Sequence, residues 1–280
     1  MSFAALEEAP QPGSVAVIGA PLDENSSFLR GPALAPRRIR DVLRAGSSNW
    51  CTEDGLDLSA RTDWRDLGDL ALPSGEGALP AIEQAVARLL QRGCRVLTLG
   101  GDHSITYALV RAYAAAHPGL TILHIDAHPD LYDDFEGRRF SHASPFARIM
   151  EEGAVKRLVQ VGIRAMNPHQ QAQARRFGVE VIAMREYHPG LALDLDGPLY
   201  LSLDLDALDP AFAPGVSHHE PGGFSVREVL ALLGRVKAPL VGADIVEYNP
   251  VRDHADITAM VAAKFYKELV GRLLRSNEGM

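Results

Sequence analysis

Three short segments of this chain bring carboxylates and imidazoles together at spacings suited to holding cations. His124-Ile125-Asp126-Ala127-His128-Pro129-Asp130 follows directly on the apolar run Thr121-Ile122-Leu123. Extended chain alternates faces, so Asp126, His128 and Asp130 point the same way. Two carboxylates bracketing an imidazole repel unless a cation sits between them. In Ser202-Leu203-Asp204-Leu205-Asp206-Ala207-Leu208-Asp209-Pro210, the leucines take the opposite phase and leave Asp204 and Asp206 on one face. That run lacks the fixed glycine and later glutamate of a calcium loop, and Asp209-Pro210 reads as turn-shaping. Leu99-Gly100-Gly101-Asp102-His103-Ser104 places His103 at a helix entrance behind two glycines. Neither G-x-G-x-x-G nor G-x-x-x-x-G-K-S/T is present there, and a plain capped turn is the competing reading.

Pooled, the segments offer His103, Asp126, His128, Asp130, Asp204 and Asp206, two imidazoles and four carboxylates. That is too much negative charge for one ion and suits two divalent cations bridged by carboxylates. An oxygen-rich set without thiolate favours Mn²⁺ over Zn²⁺ or Cu⁺. Two such ions lower the pKa of a shared water so that it attacks at neutral pH, which points to a hydrolase. His142, in the loop after the second segment, is free to carry protons, or is a capping histidine. Glu247, just past the last strand, could hold a planar cation by paired hydrogen bonds, or is an ordinary solvated glutamate.

The elements that must position these groups alternate along the chain. Strands are expected at Ser14–Gly19, Val96–Leu99, Thr121–Asp126, Leu158–Gly162, Val179–Ile182, Leu199–Asp204 and Leu240–Ile245. Helices are expected at Pro36–Leu43, Leu79–Gln91, Ser104–Ala116, Ser144–Glu152, Gln170–Phe177, Ser225–Val236 and Asp256–Leu274, with Thr52–Ser74 a long loop. This alternation implies a mostly parallel sheet covered by helices on both faces, with ligands beyond the carboxyl ends of its strands. No linker or repeat divides the 280 residues, which reads as one domain with a loose tail at residues 1–13.

Composition narrows the function classes further. A net charge of −8 argues against nucleic acid, and no apolar run approaches the ~20 residues of a membrane span. Two cysteines build no disulfide framework, and the first basic residue is Arg30. Both features point to a reduced, cytoplasmic protein without a targeting segment.

Gly100-Gly101-Asp102-His103-Ser104, Asp126-Ala127-His128-x-Asp130 and Ser202-x-Asp204-x-Asp206-x-x-Asp209-Pro210 resemble the three signatures of the ureohydrolase (arginase/agmatinase) family. The resemblance runs from about Val15 to Leu274. It is closest to plant-type arginases and their bacterial relatives, through Asn25-Ser26-Ser27-Phe28-Leu29, Tyr132-Asp133, Phe135-Glu136-Gly137, Ser141-His142-Ala143-Ser144 and Glu220-Pro221-Gly222-Gly223. It implies a three-layer α/β/α sandwich around an eight-stranded parallel sheet, and trimers or hexamers. One Mn²⁺ would take His103, Asp126, Asp130 and Asp204, and the other His128, Asp126, Asp204 and Asp206. Asp130 would also accept a hydrogen bond from the nucleophile. His142 matches the proton shuttle and Glu247 the guanidinium-binding glutamate.

A small cationic guanidino substrate follows from the resemblance, L-arginine first and agmatine or another guanidino compound second. Asp133 and Glu136 could meet an α-amino group or equally repel a carboxylate, and Asn25, Arg30, His218 or His219 could receive that carboxylate. A single-metal deacylase would not need His103 or the Asp204/Asp206 pair, and a non-catalytic relative would have lost ligands or His142.

Overall fold

The computed structural model describes residues 11–276. Its strands are β1 (Val15–Ala20), β2 (Trp64–Asp69), β3 (Arg95–Gly100), β4 (Thr121–Ile125), β5 (Arg157–Ile163), β6 (Glu180–Ala183), β7 (Leu199–Asp204) and β8 (Leu240–Val246). All pairings are parallel, in the order β2-β1-β3-β8-β7-β4-β5-β6. On one face, α1 (Ala35–Arg44), α6 (Val226–Arg235) and α7 (Ile257–Arg275) cover Val17, Leu97, Leu123, Leu201 and Ile245. On the other, α2 (Ala78–Gln91), α3 (Ile105–Ala116), α4 (Pro145–Glu152) and α5 (Pro168–Phe177) cover Ile18, Val96, Ile122, Leu158 and Tyr200. Because both faces are dry, the central strands read as apolar runs rather than as alternating patterns.

Helix starts follow their local chemistry. Ser225 caps α6 in a box with Glu228, and Asn167 caps α5 in a box with Gln170. Pro168 occupies the first turn of α5, so this helix begins two residues before the expected Gln170. The expected loop at Thr52–Ser74 is corrected: it contains β2. That strand is an edge, half-buried and carrying Arg65, Asp66, Gly68 and Asp69, so it lacks the apolar signature of a central strand. Of the expected tail, residues 1–10 lie outside the described residues, and Gly13 N–H donates to the Gly93 carbonyl at 2.8 Å.

Chain order places β3 and β4 on opposite sides of the β8–β7 pair, so the four strands open a crevice at their carboxyl ends. Beneath it, the face covered by α3 and α4 carries a polar row. Gln160 on β5 lies opposite His124 on β4, His124 opposite Ser202 on β7, and Ser202 opposite Asp244 on β8. All four are buried.

At the far edge, Arg40 of α1 is buried and donates to Asp66 Oδ2 at 2.7 Å and to Asp69 Oδ1, tying β2 to the helix layer. Arg40→Met removes the buried guanidinium and leaves the half-buried Asp66 without its partner. We expect a loss of about 3 kcal/mol in urea unfolding, with the metal site intact.

Candidate metal centre and active site

Each cluster residue stands where one of the four central strands ends. After β3 the chain turns through Gly101, whose Cβ, were it present, would overlap the Leu22 carbonyl, so only glycine fits. The turn delivers His103, buried, with its backbone N–H donating to Glu247 Oε1 at 2.8 Å. β4 runs into Asp126 and His128, and β7 into Asp204 and Asp206. Asp130 and Glu247 have positive φ, 49° and 62°, a region non-glycine residues seldom occupy. Such strain persists where surroundings enforce it and is concentrated at functional sites. Here it turns two carboxylates into the crevice.

The six predicted groups converge. His103 Nδ1 lies 3.2 Å from Asp126 Oδ2, 3.0 Å from Asp130 Oδ2 and 3.1 Å from Asp204 Oδ2. Despite these distances it makes no aligned hydrogen bond. A buried nitrogen ringed by three carboxylate oxygens, and aimed at none of them, is arranged for a partner at their common centre. On the other side, His128 Nδ1 lies 3.0 Å from Asp206 Oδ2 and 3.6 Å from Asp126 Oδ1. Asp126 thus turns one oxygen to each imidazole. The donor atoms of Asp126, His128 and Asp206 lie within 4.8 Å of one another, as do those of His103, His124 and Asp126.

The electrostatics follow from packing four carboxylates together. Burial, then the charges of Asp206 and Asp126, push the Asp204 carboxyl far above the usual range. Asp206 rises to about 6, from burial and Asp126 against the opposing pull of His128. Burial opposes charge on His103 and His128, yet the surrounding carboxylates outweigh it and raise both imidazoles. Positive charge placed among these carboxylates would relieve the repulsion that raises Asp204 and Asp206. The oxygen-rich donor set and the unaimed Nδ1 therefore fit hard divalent cations.

His142 and Glu247 form a second unit beside the cluster. His142 Nδ1 is 2.9 Å from Glu247 Oε1, and its Nε2 is 2.8 Å from Ser27 Oγ. Burial disfavours the charged ring, but the Glu247 charge and hydrogen bond overcome it and raise His142 to about 9. Burial alone would raise Glu247; His142 holds it below its usual value. Oε1 of Glu247 already accepts from His142 and from the His103 N–H, so Oε2 is the oxygen left to meet a cation.

A cavity of about 150 Å³ opens onto both units, walled by Ser27, Tyr132, Phe135, Ala143, Ala165, Gln170 and His218. Other expected contacts fall elsewhere. Asp133 is exposed and accepts from Arg148 at 3.1 Å, and Glu136 is exposed in a turn at φ 54°, while Tyr132 and Phe135 from the same loop face inward. The Asn25 amide donates to Ser104 Oγ at 2.9 Å, while its backbone N–H and carbonyl bond Asp102 Oδ2 and the His142 N–H. It braces the loop that carries Ser27. Asn25 and Arg30 line a separate, larger hollow of about 690 Å³ holding none of the clustered acids. Asp209 shapes its turn as expected, accepting from Ala211 at 2.9 Å and Gly222 at 2.7 Å. Nothing in the sequence marks Ser27, Gln170, Tyr132 and Phe135 as contacts, since serine, glutamine and aromatics carry no charge signature.

The sequence matches the arginase family model over residues 13–271. The chain belongs to the arginase family. It is a family of metal-dependent hydrolases acting on small guanidino substrates. The chain is similar to "Arginase 1, mitochondrial" of Arabidopsis thaliana, 47% identical over 93% of this chain and 81% of that protein. It is also similar to "Arginase 2, chloroplastic/mitochondrial" of the same plant, 46% identical over 93% and 80%. The solved arginase of Medicago truncatula superposes with a TM-score of 0.89 at 41% identity, covering 96% of this chain and 90% of that one. The three-layer arrangement with an all-parallel eight-stranded sheet is the arginase-like fold.

The names of the plant relatives overturn the cytoplasmic expectation, since they are mitochondrial and chloroplastic. The physical reason is that a compartment is addressed by a separate segment, not by the charge or cysteine content of the folded body. Among the described residues no helix is long and apolar enough to cross a membrane.

Behind the cluster, His103 Nε2 is 3.0 Å from Ser202 Oγ, which donates to Asp244 Oδ1 at 2.7 Å; Tyr200 and Thr106 donate to Asp244 Oδ2. Ser202→Ala strips one buried bond from each of His103 and Asp244. We expect about 1–3 kcal/mol of destabilisation in denaturant unfolding of the metal-free protein.

Proposed function

We propose that this chain is a binuclear manganese hydrolase that cleaves L-arginine to L-ornithine and urea, working as one domain over residues 1–280. The observation that carries the reading is the His103 Nδ1 ringed at 3.0–3.2 Å by Asp126, Asp130 and Asp204 without an aligned bond. The 46–47% identity to plant arginases supports the substrate. One ion would be held by His103, Asp126, Asp130 and Asp204, and the other by His128, Asp126, Asp204 and Asp206. When bound, the pair supplies Lewis acidity and a water activated for attack at neutral pH.

The chain's own residues do the rest. The guanidinium stays protonated at any ordinary pH, and Glu247 Oε2 pairs with its N–H groups and orients its carbon toward the cluster. Asp130 accepts a hydrogen bond from the attacking water. His142 carries the proton on Nε2 that the departing nitrogen takes as its C–N bond breaks, while Glu247 steadies the ring through Nδ1. Tyr132 and Phe135, their rings 4.7 Å apart, wall the narrow cavity against bulk water. No lysine or arginine lines that cavity among the described residues, so an α-carboxylate would be met by Ser27, Gln170 or His218. The same observation favours agmatine, which has no carboxylate, as the second reading. The net charge of −8 disfavours a nucleic-acid partner, and a homotrimer or hexamer completes the proposal.

Two experiments test this. Urea release with Mn²⁺ is measured on L-arginine, agmatine and 4-guanidinobutyrate side by side. L-Arginine is expected to be fastest, faster agmatine turnover moves the assignment to the second reading, and no release from any of the three refutes both. Among variants, His103→Ala and Asp126→Ala lose Mn²⁺ and activity, whereas His142→Ala keeps its metal and slows roughly 10²–10⁴-fold. Normal turnover by metal-free Asp126→Ala protein contradicts the metal assignment.

A further inference from the structure

His124 is the one titratable residue of the His124–Asp130 segment that the proposed ligand set leaves out. It is fully buried, with Nε2 2.6 Å from Asp126 Oδ2 and Nδ1 3.0 Å from Gln160 Nε2. The Gln160 amide fixes the direction of this chain. Its Nε2 is also 2.7 Å from the Pro129 carbonyl, which can only accept, so the amide nitrogen must face that carbonyl. The same nitrogen gives its other hydrogen to His124 Nδ1. Gln160 Oε1 is left without a partner, a cost the fold carries while both donors stay aimed.

With Nδ1 accepting, the neutral ring carries its hydrogen on Nε2 and donates it to Asp126. No lone pair on His124 is then free for a metal, although it lies within 4.8 Å of the donor atoms of His103 and Asp126. Phe146 packs on the His124 ring at 4.0 Å and presents a perpendicular ring to His103 at 5.3 Å, holding both imidazoles in place. A carboxylate oxygen has two lone pairs, so Asp126 Oδ2 can accept from His124 and still face the His103 side. Oδ1 meanwhile accepts from the His128 N–H at 2.6 Å.

We infer that Gln160 and His124 form a positioning relay, set on adjacent strands, that orients Asp126 and strengthens divalent-cation binding without either residue being a ligand. The inference rests on the metal reading of the cluster. Partners of this kind beyond the ligands themselves typically change metal affinity 10–100-fold.

Chelator-buffered Mn²⁺ titration, reading both affinity and ions bound per folded chain, tests it. We expect wild type to bind two ions, His124→Phe to bind two ions about 10–100-fold more weakly, and Gln160→Met to weaken binding in the same direction. His124→Gln, which restores an N–H toward Asp126, is expected to recover most of the loss. Wild-type affinity in both His124→Phe and Gln160→Met overturns the relay while leaving the metal site standing. Loss of one whole ion in His124→Phe also overturns it, because His124 would then be a ligand. If His124→Phe does not fold, Gln160→Met decides alone, and unchanged affinity there is refutation. Wild-type protein that binds no Mn²⁺ refutes the metal reading itself and the relay with it.

Discussion

Four aspartates, Asp126, Asp130, Asp204 and Asp206, are buried within reach of one another, and the protein by itself cannot keep all four charged. Moving a carboxylate out of water costs several kcal/mol, and placing others beside it adds repulsion. Two imidazoles offset only part of this, which is why Asp204 and Asp206 are pushed toward their protonated forms while His103 and His128 are pushed toward theirs. Two divalent cations would resolve the conflict without protons. Much of the surrounding structure makes sense as the means of holding these like charges in one place.

The means are strand ends, strained turns and a polar row. A parallel sheet gathers the carboxyl ends of β3, β8, β7 and β4 side by side, so residues as far apart as His103 and Glu247 meet through one hydrogen bond. Positive φ at Asp130 and Glu247 is a local cost that turns their carboxylates into the crevice. Beneath the cluster, Gln160, His124, Ser202 and Asp244 replace apolar side chains on a face that is otherwise dry, and each bonds toward the site. Buried polar groups of this kind are tolerated when nearly all are satisfied, and they then fix one geometry.

Sequence reading went furthest where the physics is local. Carboxylates and imidazoles following directly on apolar strand runs mark Asp126, His128, Asp130, Asp204 and Asp206, and the structure brings them together, but through a bend after β4 and a single 3-10 turn after β7 rather than by the alternation of extended chain. β7 runs from Leu199 to Asp204 as expected, because its apolar run ends sharply at charge. Reading failed where a residue's neighbours come from elsewhere in the chain. β2 is charged because an edge strand pairs on one side only, and Arg40 from a distant helix neutralises it. Asp133 and Glu136 carry the charge a cationic substrate would meet, but the loop turns them to solvent and sends Tyr132 and Phe135 inward. The positioning role inferred for His124 depends on the amide of Gln160, which the neighbouring strand supplies. The compartment is not legible in the charge or cysteine content, because no property of the folded body encodes it.

The central claim is that the buried aspartates are a two-metal centre. The most direct measurement is diffraction at the manganese absorption edge from crystals of the Mn²⁺-loaded protein. Two anomalous peaks are expected, one among His103, Asp126, Asp130 and Asp204 and one among His128, Asp126, Asp204 and Asp206. A single peak, a peak bound by His124, or no peak between these side chains would contradict it.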